Sequence, residues 1–169
     1  GFQSISLVLN ADRDLYQALD SVNGLLMENS KGVLDPASKE EFVAGYEENA
    51  VQTSDRVKEA VDLLSENKEF WSEIKDDSGA NVFDHYASFE ENFAKWEEMS
   101  ASITTTYVST EEWTAQFDSS REDMNVIGEL VEVGIQKSIT DNVASKTDMV
   151  TMMILIDVVV LALVLFLSI

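Results

Sequence analysis

The sequence predicts an all-α fold: an antiparallel up-down-up-down four-helix bundle whose last helix continues into a transmembrane helix. Three observations predict it. Breakers are scarce, with one proline and seven glycines in 169 residues, too few for a many-stranded β fold. Apolar residues recur at three- and four-residue spacing along four long stretches. Charge is split between two phases: 11 Lys and Arg stand against 32 Asp and Glu, a net −21, yet Asp157 is the only charged residue after Asp148.

The first stretch runs from about Phe2 to Asn29 along Ile5, Val8, Asp12, Leu15, Leu19, Val22 and Leu26. Asp12 is its odd member, a carboxylate where an apolar residue is expected. Ser30-Lys31-Gly32 ends it. The second opens at Asp35-Pro36, where Asp suits the cap and Pro the first helical position; Ser38 with Glu41 offers a second start of capping-box form. Its stripe of Phe42, Tyr46, Asn49, Thr53, Val57, Ala60, Leu64, Asn67 and Trp71 is interrupted by polar residues, and Asp76-Asp77-Ser78-Gly79 closes it.

The third stretch has the cleanest stripe: Val82, Tyr86, Phe89, Phe93, Trp96, Ser100, Ile103 and Tyr107. An aromatic row at this spacing is read as packed core. The fourth opens at Ser109, which pairs with Glu112 as a capping box, and follows Trp113, Phe117, Ser120, Met124, Ile127, Val131, Gly134 and Ser138. No strong breaker separates it from the tail, so it is expected to run on unbroken for roughly 60 residues, about 90 Å. Short links make sequential helices antiparallel, and heptad-like stripes suit shallow left-handed crossings.

The tail, Met149–Ile169, has the length to span a hydrocarbon core of about 30 Å at ~1.5 Å per residue. Asp157 at its middle is costly against lipid and is assigned to a partner helix, as a dimer contact or a signalling group. No Lys or Arg cluster follows the span, so a cytoplasmic part is expected to lie beyond this chain, with residues 1–148 extracytoplasmic and 149–169 in the membrane. Matching the first helix to the fourth in length leaves about ten residues expected before Gly1.

Composition also excludes chemistry. Without cysteine there is no disulfide framework, thiolate metal site or cysteine nucleophile. One histidine rules out any site needing two. So acidic a chain is repelled by phosphate backbones, and nucleic-acid binding is not expected. No glycine-rich phosphate loop, nucleophile elbow or metal-ligand cluster is present, so neither an enzyme nor a cofactor is expected. The pairs Glu47-Glu48, Glu90-Glu91 and Glu97-Glu98 read as solvated helix faces, and the acidity as fitted to a saline environment or to solubility. His85 reads as a partly exposed residue at the end of the bundle.

The run Leu9-Asn10-Ala11-Asp12-Arg13-Asp14-Leu15-Tyr16-Gln17-Ala18 resembles the first periplasmic helix of bacterial methyl-accepting chemotaxis receptors with a four-helix-bundle sensor domain. The architecture, a long fourth helix entering a second transmembrane helix, is similar along the whole chain. The resemblance implies a homodimer in the inner membrane. It also implies a small-molecule chemoeffector, such as an amino acid or organic acid, or a periplasmic binding protein, bound between the first and fourth helices. Binding then shifts the fourth helix along its axis. Two other readings stay open: the input domain of a membrane sensor histidine kinase, and a tail-anchored structural coiled-coil protein.

Arg13 is the first candidate for the ligand, because a guanidinium suits a carboxylate by bidentate bonding. Its competing role is an ion pair, within the helix with Asp12 or Asp14 or across a dimer interface. Asn10 and Tyr16 lie three residues to either side of it, on one helix face. Arg121 on the fourth helix is a second candidate cation, with a solvated charge among Asp118, Glu122 and Asp123 as its competing role. Asp12 is suited to an amine, or to pairing with Arg13 or Arg121.

Overall fold

The structure is a computed structural model that describes residues 2–167, with side chains as far as Val158. It is all-helical. Five helices follow in order: α1 (Phe2–Lys31), α2 (Pro36–Ser65), α3 (Lys68–Glu73), α4 (Val82–Thr106) and α5 (Glu111–Leu167). Among the described residues there is no strand, only an isolated bridge between Lys75 and Asn81. The contacts divide the chain into two compact units, Gly1–Val133 and Gly134–Ile169.

Local chemistry sets the helix ends. Gly32, at φ +69°, stops α1, with its N–H on Asn29 O and that of Val33 on Glu28 O; the left-handed conformation is one that glycine adopts without a Cβ penalty. Asp35 caps α2 by accepting from Ser38 N at 2.9 Å, with Pro36 in the first turn. Asn81 and Asp84 form a full capping box at the start of α4. Tyr107 ends α4 in the left-handed region at φ 56°, where a side chain is disfavoured by roughly 1–2 kcal/mol. Its N–H reaches Ile103 O at 2.8 Å, and Lys39 Nζ stands 5.0 Å from its ring. Thr110, rather than Ser109, caps α5, its hydroxyl accepting from Trp113 N at 3.1 Å.

One expected helix is two. The second stretch does not reach Trp71 unbroken: α2 ends at Ser65, Asn67 leaves helical geometry at φ −131° and ψ 58°, and α3 restarts after it. The polar run Ser65-Glu66-Asn67 buries nothing that would hold the helix straight, since all three residues are exposed. The break lets α3 pack on both α2 and α4 and bury Trp71, with Ile74 buried just after it.

In the first unit the long helices meet antiparallel. Along α1 and α2, Gly24 faces Phe42, Ser21 faces Gly45, Asp14 faces Arg56 and Thr53 faces Ala11. A Cβ at Gly24 would come within 2.5 Å of Phe42 Cε1, which accounts for a glycine inside this helix. Along α4 and α5, Ser88 faces Asp123, Asn92 faces Gln116 and Ser100 faces Trp113. Along α1 and α5, Val8 faces Gly128, Asp12 faces Arg121 and Tyr16 faces Phe117. Tyr46 on α2 donates to Glu97 O on α4 at 3.1 Å.

The core centres on Trp96, fully buried. Its ring lies 5.9 Å from Tyr46, 5.7 Å from Phe93, 6.4 Å from Trp113 and 5.8 Å from Phe117. The aromatic row expected on the third stretch is core at Phe89, Phe93 and Trp96. On α1 the buried stripe differs from the expected one. It is Ser4, Val8, Ala11, Asp14, Leu15, Ala18, Val22 and Leu25, so Asp14 rather than Asp12 is the carboxylate inside, and small residues let α2 approach.

In the second unit α5 continues, and every described side chain from Ile139 to Val158 is exposed. Among the described residues no helix is long and apolar enough to cross a membrane. The expected span Met149–Ile169 runs past that description: Ser168, Ile169 and all side chains from residue 159 on lie outside it.

Inside the core, Trp113 Nε1 donates to the buried Ser100 hydroxyl at 2.8 Å. Ser100→Ala strands that indole N–H and is expected to cost about 1–3 kcal/mol in urea unfolding, whereas Ala at the exposed Ser102 changes the midpoint little.

Candidate functional site

The sequence candidates separate into two places. On the α1–α5 side, Arg121 Nε donates to Asp12 Oδ1 at 3.1 Å. Its guanidinium carbon lies 5.0 Å from the Tyr16 ring centre, within cation–π range. Tyr16 in turn meets Phe117 edge-on at 5.5 Å. The Arg121 side chain is 38% exposed and that of Asp12 30%, so a solute reaches both. Beside them a groove of about 260 Å³ runs between α1 and α5 over Val8, Leu9 and Met124, edged by the carboxyl groups of Asp12, Glu122, Glu129 and Glu132.

Arg13 is not part of this place. Its Nε and Nη2 lie 3.1 and 2.8 Å from Asp14 Oδ1, and the Asp14 side chain is only 1% exposed. Arg56 from α2 stands 2.6 Å from the other oxygen of Asp14, an ion contact whose N–H is not directed along the bond. Asn10 bonds back to Ser6 O at 2.8 Å within its own helix. The structure therefore brings together Tyr16, Arg121 and Asp12, and keeps Arg13 and Asn10 apart from them.

Sequence reasoning missed two features. The first is the burial of Asp14 and its second partner, Arg56, beyond the Arg13–Asp14 pair already named as a competing role. Its signal was the small-residue spacing of Ala11 and Ala18 around Asp14, which marks the face α2 approaches. The second is built on His85. The ring, 17% exposed, sits between Asp76 at 2.9 Å from Nε2 and Asp123 at 3.5 Å from Nδ1. Asp123 also accepts from Ser88 Oγ and Asn92 Nδ2, each at 2.9 Å. Asn92 Oδ1 accepts from Gln116 Nε2 at 3.1 Å. Each segment looks like an ordinary polar surface alone; only their meeting makes the network.

Asp76 organises the loop before α4. Its Oδ1 accepts from Ser78 N, the Ser78 hydroxyl and Ala80 N, while Gly79 takes φ +88°. The Ser78 hydroxyl, and then His85 and the two backbone N–H groups, hold the Asp76 carboxyl well below its ordinary 3.8. On the α2–α4 face, burial raises the Glu97 carboxyl above its ordinary value. Among the described residues no group of three or more His, Cys, Asp and Glu is placed to hold a metal ion. Comparison with family models, with curated proteins and with solved structures finds no match for this chain.

Two outcomes follow from these charges. Arg56→Met leaves the buried Asp14 with Arg13 alone and is expected to destabilise in urea unfolding, by less than the roughly 3–5 kcal/mol of a wholly unpaired buried charge; adding Asp14→Leu removes the under-paired carboxylate and should recover part of that loss. A depressed carboxyl contributes stability above its ordinary value and loses it as pH falls toward the lowered one. Asp76→Asn is therefore expected to melt below the parent at neutral pH, and the gap to close as the buffer is acidified below pH 3.8.

Proposed function

We propose that this chain is the sensing piece of a transmembrane chemotaxis receptor. Residues 1–148 act as an extracytoplasmic antiparallel four-helix bundle, residues 149–169 cross the inner membrane, and α5 carries the binding signal toward the cytoplasm. The observation that carries this reading is α5 itself. One helix buries Trp113, Phe117, Met124, Ile127 and Val131 in the core and continues as helix to Leu167, into the apolar tail. A continuous helix passes on a small axial shift that a flexible linker would absorb. The likeness of Leu9–Ala18 to receptor first helices points the same way.

The α1–α5 face supports a small-molecule ligand with both charges. An amino acid offers a carboxylate to Arg121 and an ammonium to Asp12, replacing the bond these two make with each other, with the Tyr16 ring alongside. A simple organic acid would satisfy Arg121 but strand Asp12. Ligand shifts the position of α5 only if it binds one helix arrangement better than the other.

A homodimer is supported by α1. Phe2, Leu9 and Tyr16 are 76%, 67% and 38% exposed at seven-residue spacing, the repeat of a coiled-coil seam. A second copy of α1 offers the matching stripe.

The test is thermal unfolding of the full chain in detergent against amino acids, organic acids and amines. An amino acid at 100 times its Kd is expected to stabilise by about 2.7 kcal/mol. That shift should vanish in Arg121→Ala and survive in Lys95→Ala. If no amino acid raises the melting temperature, direct sensing at this face is wrong, and a structural coiled-coil role or docking of a binding protein takes its place. In the same detergent the chain should sediment as a dimer, and Leu9→Glu as a monomer.

A further inference from the structure

His85 stands where three segments of the first unit meet. Its own helix is α4; Asp76 reaches it from the loop after α3, and Asp123 from α5. An imidazolium donates from both nitrogens, whereas the neutral ring donates from one and turns a lone pair toward the other carboxylate. Asp123, 9% exposed, is gripped by α4 through several donors, since Ser88 and Asn92 bond it as well.

Three charges on helices packed against α4 have contacts of their own. Lys68 of α3 lies over the Phe83 ring at 5.3 Å. On α2, Asp62 pairs with Lys58. On α1, Asp14 is held by Arg13 and Arg56. Among the described residues, the carboxylates within 3.5 Å of the ring nitrogens are those of Asp76 and Asp123.

We propose that His85 is a proton-operated catch that ties both the 75–81 loop and α5 to α4 when its ring is protonated and lets the loop go when it is neutral, since Ser88 and Asn92 keep Asp123 on α4 in either state. Imidazole is the side-chain type whose charge changes in the range of external acidity a cell meets. The catch goes beyond the sensor reading and does not rest on it, since a helical protein with no ligand would carry the same catch.

His85 is the only histidine in the chain, so its ring resonance needs no assignment by mutation. The test follows three signals of the full chain in detergent by NMR, from about pH 5 to about pH 8.5. They are the His85 ring Cε1–H, the Asn92 side-chain amide, which donates to Asp123, and the Ala80 backbone amide, which donates to Asp76. All three should move with one midpoint, with loss of hydrogen-exchange protection at Ser78 and Ala80 as the ring is neutralised. In His85→Gln the Asn92 and Ala80 signals should stop moving. In Asp123→Asn, which keeps the histidine, the Ala80 signal should still follow the ring while that of Asn92 no longer does. A ring that titrates while Asn92 and Ala80 stay still, a ring that does not titrate in this range, or movements that persist in His85→Gln each overturn the catch.

Discussion

The indole of Trp96 is where α2, α4 and α5 are held to one another. Tyr46 approaches it from α2, Phe93 lies a turn back on α4, and Trp113 and Phe117 close over it from α5. Fully burying a large apolar side chain contributes about 1.5–3 kcal/mol, and the edge and offset contacts between rings add to that. The polar atoms within this cluster are mostly used: Trp113 Nε1 binds Ser100, and Tyr46 OH binds a main-chain carbonyl. Trp96 Nε1 finds no acceptor, so packing rather than hydrogen bonding fixes this ring.

Charge shapes what surrounds that core. With a net charge of −21, the chain has few cations to pair with, and it places them selectively. Arg13 and Arg56 serve one buried carboxylate, and Arg121 serves Asp12 beside the groove. Several lysines make i,i+4 pairs on exposed faces, at Lys58–Asp62, Lys95–Glu91 and Lys137–Asp141, where solvent screens such pairs and they contribute little. The arginines thus sit at the contacts between helices, and their planar forks suit them to carboxylates there.

Three polar clusters divide the labour between holding and meeting solvent. The Asp14 carboxylate is closed off between α1 and α2, while its partners Arg13 and Arg56 reach solvent. The Asp12–Arg121–Tyr16 face is half open beside an acidic groove. The His85 network joins a loop, α4 and α5 through side chains that no single helix could supply. Under the sensor reading, α5 takes part in both of the latter, with Arg121 and Asp123 two residues apart and directed to different neighbours.

The sequence by itself determined the helical class, the long helix from Thr110 onward, the Asp35-Pro36 start and the aromatic core of α4, because period and capping are local properties of the chain. It could not determine the break at Asn67, since the weak stripe through Asn49 and Thr53 continues with the same spacing on both sides of it. It put Asp12 on the apolar stripe of α1 with Arg121 among its possible partners; that pair forms, but tertiary packing turns α1 so that Ala11 and Ala18 admit α2 and Asp14 is the buried carboxylate. Asn10, Arg13 and Tyr16 share a spacing, but which neighbour each meets depends on the rotation of α1 against α2 and α5. The same holds for His85: a loop, a helix start and the middle of α5 become one network only once the helices are docked, because residues 76, 85 and 123 share no local pattern.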